Sequence, residues 1–221
     1  MGTETHTVGR PRGFDEATVL ERAAEVFWQH GYEGASLSAL TSAMGINRPS
    51  LYATFGSKEQ LFRRAFARYH ATRVAHARAA LAQSTAYAAI EAFLRSSADG
   101  LTAGDHPAGC LSIQAGLACS PENTQISAIL AAGRADTEAA LEERLSRAQK
   151  EGDLPDGMDA QALARFVMVL SEGHAVHAAA GASREELQAS VDIALRAVVT
   201  PTTDGRLPKA PSAPEPSNTH H

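Results

Sequence analysis

From Asp15 onward, apolar positions recur every three or four residues, the period of an α-helix with one buried face. Leu20, Ala23, Ala24 and Phe27 sit at i, i+3, i+4 and i+7 behind Asp15, whose carboxylate is suited to accept from first-turn amides. Phe14 ahead of that cap and Val19 inside it have the placement of a hydrophobic staple, and Gly31 is expected to end the helix. A short second helix follows Ser36, with Leu37, Leu40 and Ala43 along it, and breaks at Gly45. A short third is capped by Asn47 and carries Leu51 and Phe55 on one face until Gly56. It tolerates Pro49, because first-turn amides have no intrahelical acceptor. Ser57 and Gln60 then make a capping box that opens a long helix to about Ala82. Further helices are predicted over 86–103, 109–118, 122–151, 160–180 and 184–199, with Asp159 capping the fourth of these and a Ser183–Glu186 box opening the last.

Composition supports an all-α reading. Alanine fills about a fifth of the 221 residues and aromatics only 5%, and alanine loses least on entering a helix. The longest apolar run of the C-terminal half, Phe166 to Leu170, falls far short of the roughly 20 residues a membrane span needs. Met1 to Arg12 is polar and lacks the apolar core of a secretory signal. Two cysteines make no disulfide framework, so a reducing, cytoplasmic setting is expected. The N-terminal residues 1–9 are polar and expected to be disordered. So is the tail 201–221, which holds five of the ten prolines and no aromatic residue.

The formal charge of −5 argues at first against nucleic acid as a partner, but its distribution does not. Residues 1–80 carry ten Lys/Arg against seven Asp/Glu, a net of +3, while 81–221 carry ten against eighteen, a net of −8. A mildly basic head is joined to an acidic body.

The head contains two short helices, Leu37–Ala43 and Arg48–Phe55, around the turn Met44-Gly45-Ile46, which is the layout of a helix-turn-helix. Leu40, Ala43, Ile46, Leu51 and Phe55 have the spacing of its interior, which leaves Pro49, Ser50, Tyr52 and Ala53 on the outer face. Many all-α proteins contain such a hairpin, so spacing alone is a weak signal. The residues sharpen it. The stretch from Ser36 to Phe62, with its Gly45-Ile46 turn, Leu51-Tyr52-Ala53-Thr54-Phe55 run and Ser57-Lys58-Glu59-Gln60-Leu61 opening, closely resembles the DNA-binding signature of the tetracycline-repressor-like (TetR/AcrR) family. Gly9-Arg10-Pro11-Arg12, ahead of a helix ending in His30-Gly31-Tyr32, matches it too, so that the resemblance covers about residues 9–66.

The resemblance implies a helix-turn-helix DNA-binding domain over 10–56 and a helical ligand-binding and dimerisation domain over 57–200. Ser36, Tyr52 and Lys58 are then expected at DNA phosphates, and Asn47, Arg48, Pro49 and Ser50 at base edges. Elementary chemistry agrees: hydroxyls and lysine suit phosphates, and arginine can bind guanine O6 and N7 together. Arg48 has a second reading as a phosphate contact, and Tyr52 as a half-buried packing residue. Arg10 and Arg12 suit a minor-groove arm, or are solubilising charges. Thr54 departs from the His or Tyr common in relatives, and Thr41 from the usual Ala.

In the larger domain the family pairs its last two helices with those of a second subunit. Leu163, Phe166, Val167, Leu170, His174 and His177 form one candidate stripe, and Leu187, Val191, Ala194 and Val198 another. A two-fold dimer reads a pseudopalindrome. Tyr69, Phe93, Cys110, Gln114 and Met168 are candidate pocket residues by helical facing, and the scarcity of charge there points to an apolar or weakly polar inducer. Cys110 follows Gly109, a feature of one branch of the family. It is either a sensing thiol or a small buried hydrophobe, and Cys119 lies nine positions on.

Other functions find little support. His174 with His177, or His70 with His76, suggests a metal only without the companion ligands such a site needs, so neither metal nor cofactor is expected. There is no phosphate-binding glycine loop and no nucleophile elbow, which leaves an enzyme unsupported. A pure dimerisation module would make Arg48 dispensable. The expectation is a ligand-responsive regulator, a repressor released from operator DNA by a small-molecule inducer.

Overall fold

A computed structural model describes residues 15–117, 119–154 and 157–199, the side chains of Leu117, Val198 and Val199 excepted. Arg10, Arg12, Phe14 and the proline-rich tail lie outside the described residues. All the regular structure described is helical: α1 (Glu16–Gly34), α2 (Leu37–Met44), α3 (Arg48–Phe55), α4 (Lys58–Leu81), α5 (Ala86–Leu101), α6 (Leu111–Leu117), a 3-10 turn (Pro121–Asn123), α7 (Thr124–Lys150), α8 (Ala160–Ala179) and α9 (Arg184–Val199).

The caps follow the sequence. Asp15 accepts from the amides of Ala17 and Thr18, Ser36 from Ala39, Asn47 from Ser50, Ser57 from Gln60 and Asp159 from Gln161. The Ser183–Glu186 box closes in both directions, at 2.8 and 3.2 Å. Gly31 breaks the regular helix where the sequence predicts its end. It takes φ 69°, ψ 174°, a left-handed geometry that glycine adopts without a Cβ penalty, and the helix resumes to Gly34 beyond the kink. The helix predicted over 109–118 is shorter, because 102–110 is an irregular connection pinned by Gly109 N donating to Leu101 O at 2.8 Å.

Two large cores result. The first joins Val19, Ala23, Phe27, Leu40, Leu51 and Phe55 of the head to Phe62 and Phe66 of α4, Leu111 and Ala115 of α6, and Leu130 of α7. Phe27 meets Phe62 edge-on at 5.0 Å. The head is therefore not sealed off near residue 56, and its interior runs on into the larger domain. The second core packs α4, α5, α7, α8 and α9 through residues such as Ile90, Leu94, Leu145, Val167 and Val191. No described helix is long and apolar enough to cross a membrane.

Candidate DNA-reading face and sensor cavity

Gly45, at φ 67°, turns the chain between α2 and α3, and its amide donates back to Ser42 and Thr41 carbonyls. Leu40, Met44, Leu51 and Phe55 are buried beneath the pair. That packing leaves Ser36, Asn47, Arg48, Pro49 and Tyr52 exposed and Ser50 half-buried, on and beside the first turns of α2 and α3. Tyr52, 48% exposed, is a surface residue and not a packing one. Asn47 Oδ1 accepts from the Ser50 backbone amide at 2.9 Å, which leaves the side-chain amide nitrogen of Asn47 as its donor. Thr41 Oγ1 donates to Leu37 O at 2.8 Å, so this hydroxyl serves its own helix.

Lys58 sits differently from the others. Its Nζ lies 4.8 Å over the Tyr32 ring and donates to Glu33 O at 3.3 Å, and partial burial lowers its pKa. It stands at the junction of α1 and α4, where it supports the head from below.

Behind the head, α1, α4, α5, α6, α7, α8 and the 102–110 connection line a partly open cavity of about 990 Å³. Tyr69, Phe93, Cys110 and Met168 line it, as the sequence suggests; Gln114 does not. Gln114 works one layer out: Trp28 Nε1 donates to its Oε1 at 2.6 Å, and its Nε2 donates to Ala108 O at 3.1 Å. Trp28 itself faces the cavity, with the His106 ring stacked on it at 4.9 Å and Tyr69 edge-on at 5.1 Å. Tyr69 OH lies 3.2 Å from Cys110 Sγ, which is 3.0 Å from Ser112 Oγ. Burial, with Cys110 beside it, pushes the Tyr69 phenol well above its ordinary pKa.

Several polar groups in the wall engage one another, Ser97 with Ser171 at 2.8 Å, and Arg134 with Ser112 O at 3.1 Å and Glu172 at 3.6 Å, while Arg73 and His76 also line it. Burial raises the Glu172 carboxyl. Trp28, Arg134 and Glu172 escape a sequence reading, because each is an ordinary helix residue until the fold gathers it. No group of three or more His, Cys, Asp or Glu able to hold a metal occurs among the described residues. His174 is buried and His177 exposed, so that pair does not converge.

The candidate dimer residues also divide. Leu163, Val167, His174, Leu187, Val191 and Ala194 are buried within the subunit, Val167 and Val191 completely. Leu170 is half-buried, and the Val198 side chain lies outside the described residues. What remains exposed and apolar is Phe166, Val169 and Val176 on α8 and Ile193 on α9, with His177 beside them. The sequence stripe thus marks mainly the inner face of α8 and α9, and of its described side chains only Phe166 and His177 are exposed.

Known proteins resemble both halves. Residues 12–65 match the tetR family of bacterial regulatory proteins, and residues 86–197 match the tetracyclin repressor-like C-terminal domain. The transcriptional repressor ComR of Escherichia coli K12 is 35% identical over 190 residues, covering 85% of this chain and 90% of its own. The uncharacterised regulator YezE of Bacillus subtilis is 32% identical, covering 85% and 98%. A solved structure of the TetR-family regulator CifR, a cysteine mutant complexed with 26-base-pair operator DNA, is 42% identical. It covers 85% of this chain and 99% of its own, with a TM-score of 0.82. A helix-turn-helix head on a hollow helical body, matched along both halves at this level, places the chain in the TetR family of bacterial regulatory proteins: it is a DNA-binding transcriptional regulator and not an enzyme.

Proposed function

We propose that the chain is a repressor that binds a pseudopalindromic operator as a homodimer and is released when a small-molecule inducer enters the cavity. The observation that carries this reading is the exposed first turn of α3. There Arg48, Pro49 and Ser50 stand clear of the core while Leu51 and Phe55 anchor the helix beneath them. Arg48 reads a base edge, Ser36 and Tyr52 hold phosphates, and Asn47 offers its side-chain amide nitrogen nearby. Lys58, half-buried against Tyr32, holds a further phosphate. Arg10 and Arg12 extend the contact as an arm.

Two subunits meet through the outer faces of α8 and α9, which sets the separation of the two α3 helices. The inducer sits against Tyr69, Phe93, Cys110 and Met168, and the apolar walls favour a weakly polar molecule. The acidic body, with a net of −8 over residues 81–221, keeps binding confined to the head. Cytoplasm is the matching location.

A mobility-shift titration against a duplex selected by the protein from a random-sequence pool tests the reading face. Arg48→Ala and Tyr52→Phe are each expected to weaken binding, Arg48→Ala by about 1–3 kcal/mol. Wild-type affinity in both would remove α3 from the interface.

A further inference from the structure

We propose that the molecule the cavity takes is a carboxylic acid with an apolar body, its carboxylate held by Arg73. The idea rests on the inducer reading above and names the one polar group that the apolar walls are built to receive.

Arg73 belongs to a row on one face of α4. Ala65, Tyr69, Arg73, His76, Ala80 and Gln83 follow one another at intervals of three or four, and all line the cavity. At a rise of about 1.5 Å per residue the row spans roughly 27 Å. Tyr69 packs on the first core, whereas Ala77 and Ala80 belong to the second. Arg73 thus stands at the seam between the two cores, with the Trp28 and Tyr69 wall on one side of it and the Phe93 and Met168 wall on the other. An acid group held there leaves apolar surface for the rest of the molecule in either direction.

The charges of the wall single this residue out. Arg68 pairs with Glu21, His70 with Asp136 at 3.4 Å, and Arg134 with Glu172 at 3.6 Å. Asp99 is taken by Arg184 and Gln188, both at 2.7 Å, and the remaining acids of the lining, Glu25 and Asp105, are exposed. Arg73 makes no hydrogen bond or ion pair with any described residue, and neither does His76 one turn on. Arg73 is half-buried and its guanidinium has a seat of its own: a Cβ at Gly100 of α5 would lie 2.9 Å from Nη1, so the side chain missing from that glycine makes the room. Burial raises the Tyr69 phenol and the Arg73 charge pulls against it, so the guanidinium lies within electrostatic reach of that hydroxyl.

A guanidinium partly withdrawn from water, facing a cavity and unmatched by a protein acid, is best completed by a carboxylate. The two oxygens accept from its parallel N–H donors, and the charges cancel. A primary amide of the same size offers one acceptor and turns N–H donors toward a cation. The acid–amide comparison therefore reads the site directly, and Trp28, the chain's one tryptophan, reports entry from the cavity wall without DNA.

The experiment titrates 4-phenylbutyrate and octanoate, each against its own primary amide, into the full-length chain at neutral pH, following Trp28 emission and then release of the selected duplex. In wild type the acid of at least one pair is expected to bind on the order of tenfold more tightly than its amide. In Arg73→Met that preference is expected to vanish, with amide affinity and melting temperature as in wild type. Arg73→Gln is read in the same way where Arg73→Met fails to fold. The proposal is overturned if neither pair favours the acid in wild type, absence of binding by both members included, or if the preference survives in a folded Arg73 variant. An Arg73-dependent acid preference that leaves the duplex bound supports the carboxylate site and overturns the inducer reading beneath it, which separates the two failures.

Discussion

His174 is a core residue with an acid-sensitive flaw. It is 4% exposed between α8 and α9, and its Nε2 meets Ser190 Oγ, whose own proton goes to Leu187 O at 2.8 Å. Nε2 is therefore the protonated nitrogen, and Nδ1 is left as a buried atom with no partner. Protonating Nδ1 would put an unmatched N–H and a charge into an apolar seam; burial, with His177 nearby, lowers the pKa for this reason. With the folded pKa below the unfolded value of 6.5, the unfolded chain binds more protons as pH falls through that value. The stability conferred by neutral His174 is complete above it and is lost progressively below. Melting temperature is expected to drop between pH 7 and pH 5 more steeply in wild type than in His174→Gln; parallel profiles would clear His174 of the effect. The sequence offered His174 only as a stripe residue or half of a metal pair, since a histidine in an apolar pattern carries no mark of which groups its ring will meet.

At the scale of elements, caps and turns were the most legible features, because Asp15, Ser36, Asn47, Ser57, Asp159 and Ser183 act through neighbours two or three residues away. The faces of α8 were not. This helix is apolar on two sides, and a period of 3.6 says that a face is covered without saying by what. Leu163 and Val167 turn out to pack on the subunit's own core, while Phe166, Val169 and Val176 look outward beside Ile193 of α9. Gly173, with open space around it, leaves a shallow place between them for close helix approach. A Val169→Glu, Ile193→Glu chain is expected to sediment as a monomer at micromolar concentration with its helical content intact. A dimer of unchanged size would move the subunit interface elsewhere. Gln114 was misread for a related reason: facing was right in placing it near the cavity, but the indole of Trp28, 86 positions away, claims its carbonyl.

For the molecule as a whole, the division of charge and the continuity of the core pull in complementary directions. Residues 1–80, which take in the head and nearly all of α4, carry a net of +3 and residues 81–221 a net of −8, so the acidic charge lies away from the reading face. The interior nevertheless passes unbroken from Leu40 and Leu51 through Phe62 and Phe66 to Leu111 and Leu130, so the two ends cannot shift independently. The family resemblance in the sequence pointed to a head and a body; that they share one core depends on aromatic contacts between α1 and α4 and on Leu111 and Ala115 of α6 packed against them, which no local pattern encodes.

The central claim is that this head binds operator DNA through cations and hydroxyls on and beside α3, and its most direct test is the affinity for the selected duplex measured by fluorescence anisotropy as salt is raised. With Arg48, Lys58 and the Arg10–Arg12 arm from each of two subunits at phosphates or bases, affinity is expected to fall by about a thousandfold or more between roughly 50 and 200 mM salt. A salt dependence close to flat over that range would contradict the account.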